Sequence, residues 1–242
     1  MKRRILATTC TVALLLVPAA ARADVIQDWN SIMLQTIAAQ NPFAQARYAA
    51  ITQLAVFEAV DACAGTYEPY VGTVIPVPGA SPEAAAIAAA HAVLWNYFPT
   101  ARTVLNAARD ASLLAIPDGP SKADGITVGL AAANAMIAAR ANDGSSPPQT
   151  FLPSSSDPGV WQRTPPAFGP GLFLQWQNVT PFGIERSDQF RLDPPPELTS
   201  ERYRRAYDEV RTVGEINSAA RPQDRTDVAL FYAALPQRRF GT

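Results

Sequence analysis

The chain has 242 residues, with 20 lysine and arginine residues, 21 aspartate and glutamate residues and a single histidine, His91. This length suits one domain of about 200 residues. Without the first 23 residues the formal charge is near −5, from 16 basic and 21 acidic residues. That balance argues against a nucleic-acid-binding protein, which carries a basic face. One histidine also excludes two-histidine metal sites and histidine pairs that act as acid and base.

Residues 1–23 have the pattern of a secretory signal peptide. Basic residues occupy positions 2–4, an apolar run extends from Ile5 to Val17, and Ala21 to Ala23 fit a cleavage site. The run is shorter than the roughly 20 residues that cross a bilayer. We therefore expect a secreted or periplasmic protein with no membrane attachment after cleavage, and an uncleaved N-terminal anchor is the alternative.

The cysteines give little scope for covalent chemistry. Cys10 would leave with the signal peptide, so Cys63 would have no partner for an intramolecular disulfide. Cys63 is expected to be a small buried hydrophobic residue. A reactive thiol is the alternative.

Residues 24–144 are expected to form helical hairpins. Ile26, Trp29, Met33 and Ile37 recur at helical spacing and predict the buried face of a first helix. A second helix is expected from Asn41-Pro42, a cap followed by proline at the first helical position, to about Ala62, with Gly65 as its stop.

Three more helices are predicted before residue 144. Ser81-Pro82-Glu83 opens an alanine-rich helix that extends to Tyr97 and lets a neighbour approach closely. Helices over about 101–115 and 121–141 follow. Gly125 and Gly129 in the last of them could mark a membrane dimer face, but close packing in a soluble core is the interpretation we adopt.

Residues 145–198 form a different kind of segment, which holds 11 of the 22 prolines. Disordered linkers are poor in aromatic residues. We therefore expect this proline-rich belt to wrap the helical body, with each ring as an anchor. Its aromatic residues are Phe151, Trp161, Phe168, Phe173, Trp176, Phe182 and Phe190.

Two further helices are expected over residues 199–242. Thr199 is the predicted cap of the first, with Tyr203, Tyr207 or Ala206, and Val210 on its apolar stripe and Gly214 at its end. Arg221-Pro222 is predicted to open the last. The sequence therefore predicts an all-α protein, a bundle of about six to seven helices in one domain over residues 24–242, with a proline- and aromatic-rich wrapping segment.

Few residues suggest chemistry. The chain has no Gly-x-Ser-x-Gly, Cys-x-x-Cys, His-Glu-x-x-His or phosphate-binding glycine loop. Glu58 and Asp61 share a helix face and could serve acid–base or metal chemistry. A pair of this kind more often contacts arginine or backbone amides, and a metal site needs more ligands.

The remaining candidates have equally ordinary explanations. His91 lies among alanines without an adjacent partner or nucleophile, so we expect a packing residue rather than a catalytic base. Arg202, Arg204 and Arg205 could hold a phosphate-like oxyanion. The acidic residues around them instead favour a solvated, salt-bridged helix face.

Motifs that carry a family resemblance follow one another along nearly the whole chain after residue 23. In the helical part they are Asp28-Trp29-Asn30, Leu54 to Ala62, Tyr67 to Tyr70, Ser81 to Ala86, His91, Phe98-Pro99 and Ala115 to Pro120. Further along they are Pro158 to Trp161, Thr164 to Pro166, Gln175-Trp176, Val179 to Phe182, Gln189 to Arg191, Pro194 to Pro196, Leu198, Ser200, Tyr203, Glu209-Val210 and Gly214. In this order and spacing they resemble bacterial vanadium-dependent haloperoxidase-like proteins of the type 2 phosphatidic acid phosphatase superfamily, over the N-terminal helical half only.

The resemblance implies a mostly helical protein whose complete members bind vanadate and use hydrogen peroxide to oxidise halides. Their oxyanion pocket uses a lysine followed by Arg-Pro, a Pro-Ser-Gly-His segment, and an arginine with a histidine six residues later. None of these motifs occurs here: Ala85 stands six positions before His91, and Lys122 precedes no Arg-Pro. We therefore predict no catalytic, cofactor-binding or metal residues and no cofactor in this chain.

Two interpretations remain open, with a third beside them. The chain is the truncated scaffold half of such a protein, inactive and poorly stable alone, whose partner is a missing C-terminal half or a second copy. Alternatively, it is a secreted non-catalytic helical binding module that unfolds cooperatively as a monodisperse particle. The third is an enzyme that uses Glu58, Asp61 and His91. A Pro-Ser-Gly-His motif in DNA beyond Thr242 would support the first.

Overall fold

A computed structural model describes residues 24–234. The predicted signal peptide over residues 1–23, and the residues from 235 onwards, lie outside the described residues. Within that range the chain is mainly helical, which confirms the predicted all-α class. Its helices are α1 (Val25–Ile37), α2 (Pro42–Ala64), α3 (Pro82–Tyr97), α4 (Arg102–Leu114), α5 (Pro120–Ala139), α6 (Glu201–Gly214) and α7 (Gln223–Ala234). The two strands, β1 (Thr150–Phe151) and β2 (Gly171–Leu172), pair in an antiparallel hairpin.

The core of the protein surrounds α3. This helix packs against α1, α2, α4 and α5, and its residues from Ala84 to His91 are all buried. A helix that is apolar on every side is stable only when neighbours cover it all round. The alanine-rich sequence of α3 therefore dictates the arrangement of four other helices.

Two glycines bring α5 against α3. A β-carbon on Gly129 would lie 2.7 Å from the Cβ of Ala88 and would also clash with the carbonyl oxygen of Ala85. One on Gly125 would lie 3.0 Å from the Cβ of Ala84 and would clash with the carbonyl of Ser81. The predicted close packing of helices at Gly125 and Gly129 is confirmed.

The helix caps follow the sequence signals closely. The side chain of Asn41 accepts the backbone N–H of Ala44 at 3.0 Å, and Ser81 Oγ accepts that of Ala84 at 3.1 Å. The left-handed φ of 63° at Gly65 ends α2, because glycine adopts that conformation without a steric penalty. The predicted cap at Thr199 is wrong by one residue: Ser200 is the cap of α6, and its Oγ accepts the N–H of Tyr203 at 3.1 Å.

The predicted stripe of α1 faces the core. Trp29, Met33 and Ile37 are buried. The indole N–H of Trp29 donates to Ser112 Oγ at 3.3 Å, which links α1 to α4.

The proline-rich belt contacts the helices through only some of its rings. Phe173 and Trp176 pack on Phe43 of α2, with ring centroids 5.0 and 5.4 Å apart. By contrast, Phe168 is 52% exposed and Phe190 is 74% exposed. The expectation that every ring is an anchor is therefore wrong, because Phe168 and Phe190 remain in solvent.

A buried ion cluster joins α2, α5 and the belt. The Asp143 carboxylate accepts from Arg47 Nε at 2.8 Å and from Arg140 Nε at 3.2 Å. Arg140 also donates to the carbonyl of Thr180 at 2.6 Å and stacks 3.7 Å from the ring centre of Phe182. Because the three charged side chains are almost fully buried, each depends on the others for its partners.

Helices α6 and α7 differ from the other five. No residue of α6 is buried, and Tyr207 and Val210 on its predicted stripe are 56% and 69% exposed. Phe231 of α7 is 58% exposed. Within the described residues, none of the helices α1–α5 packs closely against α6 or α7. Across residues 24–234, every helix is too short or too polar to cross a membrane.

The substitution Gly129→Ala tests the contact between α3 and α5. We expect it to lower the free energy of unfolding by about 1–3 kcal/mol, because the added methyl group overpacks the interface. Urea unfolding followed by circular dichroism measures the change. Gly183→Ala is the matched control, since its β-carbon would meet no atom within 4 Å. Equal stability of the two variants would contradict the assigned contact.

Asp143→Ala tests the ion cluster. Removing the carboxylate leaves two buried guanidinium groups without their acceptor, and we expect a loss of about 3–5 kcal/mol. Asp188→Ala, which breaks the exposed pair with Arg186, should cost less than about 1 kcal/mol. Denaturant unfolding measures the free energy of unfolding of both variants. Equal losses would show that the buried cluster stabilises the fold no more than an exposed ion pair.

Candidate functional site

The carboxylates of Glu58 and Asp61 hold the loop that follows α2. Glu58 accepts the backbone N–H groups of residues 70–72 at 2.8, 3.1 and 3.0 Å. Asp61 accepts those of residues 66 and 67 at 3.0 and 2.7 Å. Both side chains are buried. Of the two sequence hypotheses, contact with backbone amides is therefore the one that the structure displays.

The described residues offer no evident metal centre. Across residues 24–234, no three His, Cys, Asp or Glu side chains converge as metal ligands. Cys63 is half-buried, and its thiol lies 3.3 Å from the carbonyl oxygen of Ala59. Burial, reinforced by the negative charge of Glu83, raises the pKa of the Cys63 thiol. The thiolate form that reacts with electrophiles is therefore disfavoured.

His91 lies on α3, at the floor of a groove between α4 and α5. Its Nε2 is 2.9 Å from Oδ1 of Asn106 on α4, and its ring meets Trp29 edge-on with centroids 6.2 Å apart. Only 6% of the residue is exposed. Burial lowers the pKa of His91, outweighing the hydrogen bond with Asn106, and the positive charge of Arg109 adds to the effect. The imidazole is neutral at pH 7 and serves as a link between α3 and α4.

The groove above His91 has a volume of about 630 Å³. Its walls combine polar side chains with aliphatic and aromatic ones, and it is open to solvent. The lining residues that define it are His91, Trp95, Asn106, Arg109, Leu130 and Asn134. The cation in this group, Arg109, forms hydrogen bonds to Asp110 at 2.7 and 2.9 Å. A groove of this composition suits a partly apolar, uncharged ligand better than a multiply charged anion.

A second cavity, of about 580 Å³, lies between α1, α3 and α4. Asp24, Asp28 and Glu83 are among its lining residues, together with Ser112. Three carboxylates without a lining cation repel an anion. The cavity is therefore electrostatically unsuited to phosphate or vanadate.

Two of the other cationic side chains, Lys122 and Arg204, have partners within the fold. Lys122 donates to Asp118 at 2.8 Å and to the carbonyl of Ile116 at 3.1 Å. In the predicted arginine cluster, Arg204 pairs with Glu201 at 2.6 Å and with Asp208 at 3.2 Å. The salt-bridged, solvated face predicted for this helix is present at Arg204.

Sequence reasoning missed the cluster of Arg47, Arg140 and Asp143. Burial of Asp143 would by itself raise its pKa, but hydrogen bonds from Arg47 and Ser145 outweigh it and hold that pKa below its usual value. One signal was available: Arg47 lies four residues before Ile51, on the buried face of α2. An arginine in a core position requires a buried acceptor.

The charge state of His91 can be measured directly. Its folded pKa lies below the unfolded value of about 6.5, so acidification below that value reduces the stability of the fold. Because His91 is the only histidine, its one imidazole Hε1 resonance can be assigned directly and should titrate with a midpoint below 6.5. His91→Gln keeps a hydrogen-bond donor for Asn106, and should lose less stability than the parent between pH 7 and pH 5.5. A midpoint at or above 6.5 would contradict the assigned burial.

Comparison with solved structures supplies one likeness. The fold is similar to that in the crystal structure of the first bacterial vanadium-dependent iodoperoxidase, with a TM-score of 0.64 and 22% sequence identity. The similarity covers 88% of this chain and 55% of that one, so the chain spans about half the length of the iodoperoxidase. No protein-family model matches the chain. No curated protein sequence matches it. The likeness shows a shared fold, and it confirms the helical architecture that the motif resemblance implied.

Proposed function

We propose that this chain is the scaffold half of a vanadium-peroxidase-like fold and has no vanadate site of its own. The observation that carries the proposal is the coverage of the structural match, which takes in 88% of this chain but 55% of the iodoperoxidase. The motif order found in the sequence supports the same relationship. In this proposal the chain supplies helices that support a site, and the site itself lies in the other half.

The chemistry of the cationic side chains supports this division. A trigonal oxyanion such as vanadate is held by several charge-assisted hydrogen bonds. Arg47 and Arg140 share the Asp143 carboxylate, and Lys122 pairs with Asp118. His91 is bonded to Asn106 rather than to another titratable group. These residues do not fit a vanadate ion, so no catalytic step is assigned to them.

The cellular setting is part of the proposal. The pattern of residues 1–23 supports export to a secreted or periplasmic location. The acidic balance of the rest of the chain supports partners other than nucleic acids. The partner proposed here is the second half of the fold.

The purified mature chain should not oxidise halides. With vanadate, hydrogen peroxide and either iodide or bromide, we expect the chain to oxidise halide no faster than the same mixture without protein. The reason is that Arg47, Arg140 and Lys122 are paired with carboxylates of the fold. Halogenation of a dye provides the measurement, and a complete vanadium-dependent iodoperoxidase serves as the positive control. Vanadate-dependent turnover that disappears in His91→Ala would overturn the proposal and restore the enzyme hypothesis for Glu58, Asp61 and His91.

One observation favours a second candidate, a secreted non-catalytic binding module. Helices α1–α5 surround a complete core, and the groove above His91 is large enough for a small ligand. A self-sufficient module would be a monodisperse particle with one cooperative thermal transition. A scaffold half would instead leave the apolar side chains of α6 and α7 in solvent. It would aggregate when no partner covers them. Calorimetry together with light scattering separates the two.

A further inference from the structure

The groove above His91 exists because of the way three helices pack. Helices α4 and α5 both pack against α3 but make few contacts with each other, so one side of α3 stays open between them. Residues at helical spacing face this opening: His91 and Trp95 on α3, Asn106 on α4, and Leu130 and Asn134 on α5. The volume of about 630 Å³ lies in the range of small-molecule sites.

Trp95 forms a flat apolar wall of the groove and is held in one orientation. The Arg102 guanidinium lies 3.6 Å from the centre of the indole, and its Nε donates to the carbonyl oxygen of Trp95 at 3.0 Å. Arg102 covers one face of the indole, yet 39% of Trp95 remains exposed. The exposed part is free to pack on another aromatic ring. A ring that is held before binding loses less conformational entropy when a ligand arrives.

His91 and Asn106 present one acceptor and one donor in fixed orientations. Asn106 Oδ1 can only accept, so the proton of the neutral imidazole is on Nε2 and Nδ1 is an acceptor. The same hydrogen bond directs Nδ2 of Asn106 away from the imidazole. Among residues 24–234, the one fully enclosed side-chain polar atom without a partner is Trp176 Nε1. Nδ1 of His91, which has no partner there either, is therefore reached from the groove that the ring lines.

The charges within the groove cancel. Arg109 donates twice to the carboxylate of Asp110, and both residues line the groove. His91 adds no charge at pH 7, because burial lowers its pKa. A charged ligand would leave water without finding an opposite charge, which costs free energy. An uncharged ligand avoids that cost.

A docked helix fits this groove less well than a small molecule does. A helix about 10 Å across would fill the 630 Å³ with roughly one and a half turns, which is a short contact for two helices. Its apolar stripe would also cover the side-chain amides of Asn106 and Asn134 without pairing them. The mixture of amides with an aromatic wall suits a ligand that has both polar atoms and a ring.

We propose that the groove between α4 and α5 binds a small uncharged aromatic molecule in which a hydrogen-bond donor adjoins an acceptor, as in an aromatic carboxamide. The ring of the ligand packs on Trp95. Its N–H donates to Nδ1 of His91, and its carbonyl oxygen accepts from Nδ2 of Asn106. The proposal goes beyond the proposed function, because a scaffold half without a vanadate site needs no ligand of this kind.

The test is a titration of the chain over residues 24–242 with benzamide, followed by nuclear magnetic resonance. Because His91 is the only histidine, its Hε1 resonance reports directly on the floor of the groove. We expect a saturable shift of this resonance and of the Trp95 indole N–H, with one dissociation constant on the order of millimolar for so small a probe.

Two relatives of benzamide separate the contributions of the ring and the amide. Cyclohexanecarboxamide keeps the amide but has no flat ring to pack on Trp95. Benzoate keeps the ring but carries a charge and has no donor for His91. Each should need a concentration at least about fivefold higher for half-saturation, a factor that corresponds to about 1 kcal/mol. This series requires no substitution, so it decides the proposal even when a variant is unstable.

Trp95→Leu tests the aromatic wall in the protein itself. We expect benzamide to bind about three- to tenfold more weakly, as the loss of one aromatic pair predicts. Trp161→Leu is the matched control, because Trp161 is exposed to a similar degree, 42%, and lies in the proline-rich belt. It should leave the affinity unchanged. Thermal unfolding of both variants checks that the fold is intact.

Four outcomes would overturn the proposal. They are the absence of a saturable shift at His91, equal binding of benzamide and cyclohexanecarboxamide, binding of benzoate as tight as that of benzamide, and unchanged affinity in a folded Trp95→Leu variant. A His91 resonance that shifts with protein concentration but not with benzamide is a form of the first, and it would assign the groove to a second copy of the chain. The proposed function is judged separately, since halide oxidation contradicts it whether or not benzamide binds.

Discussion

The burial of α3 is the constraint on which the rest of the structure depends. Its alanines offer no polar face to solvent, so α1, α2, α4 and α5 must enclose it. Small side chains bury little apolar surface each, and the core gains stability only when backbones approach closely. Gly125 and Gly129 on α5 permit that approach.

The buried polar groups hold the non-helical segments, the loop after α2 and the proline-rich belt, in place. Glu58 and Asp61 supply acceptors to backbone amides of the loop after α2. Arg47, Arg140 and Asp143 fasten the proline-rich belt at Thr180. Charged residues of the types that occur in active sites therefore bond to other groups of the fold itself. Because their hydrogen bonds hold the fold together, the scaffold interpretation accounts for these residues better than a catalytic one.

Much of the helical core could be predicted from the sequence, because its signals are local. Asn41, Ser81 and Gly65 mark helix ends by direct hydrogen bonds or by backbone conformation. The stripe of Trp29, Met33 and Ile37 follows from helical periodicity. Each of these features depends on residues within a few positions of one another, which a single sequence displays.

The missed features depend on contacts between distant segments. Arg47 and Asp143 are 96 residues apart, and no local pattern relates them. The aromatic residues of the belt look alike in sequence, yet Phe173 packs on Phe43 while Phe190 stays exposed. Periodicity likewise predicts which apolar residues of α6 share a face. It does not predict whether another part of the protein covers that face.

The central claim is that a self-sufficient core around α3 coexists with an uncovered pair of helices in one chain. Amide hydrogen exchange of the chain over residues 24–242 tests it most directly, because exchange reports the stability of each helix separately. The account predicts the slowest exchange in α3 and in the α5 residues that face it, and much faster exchange in α6 and α7. Protection of α6 and α7 equal to that of α3 in the isolated monomer would contradict it.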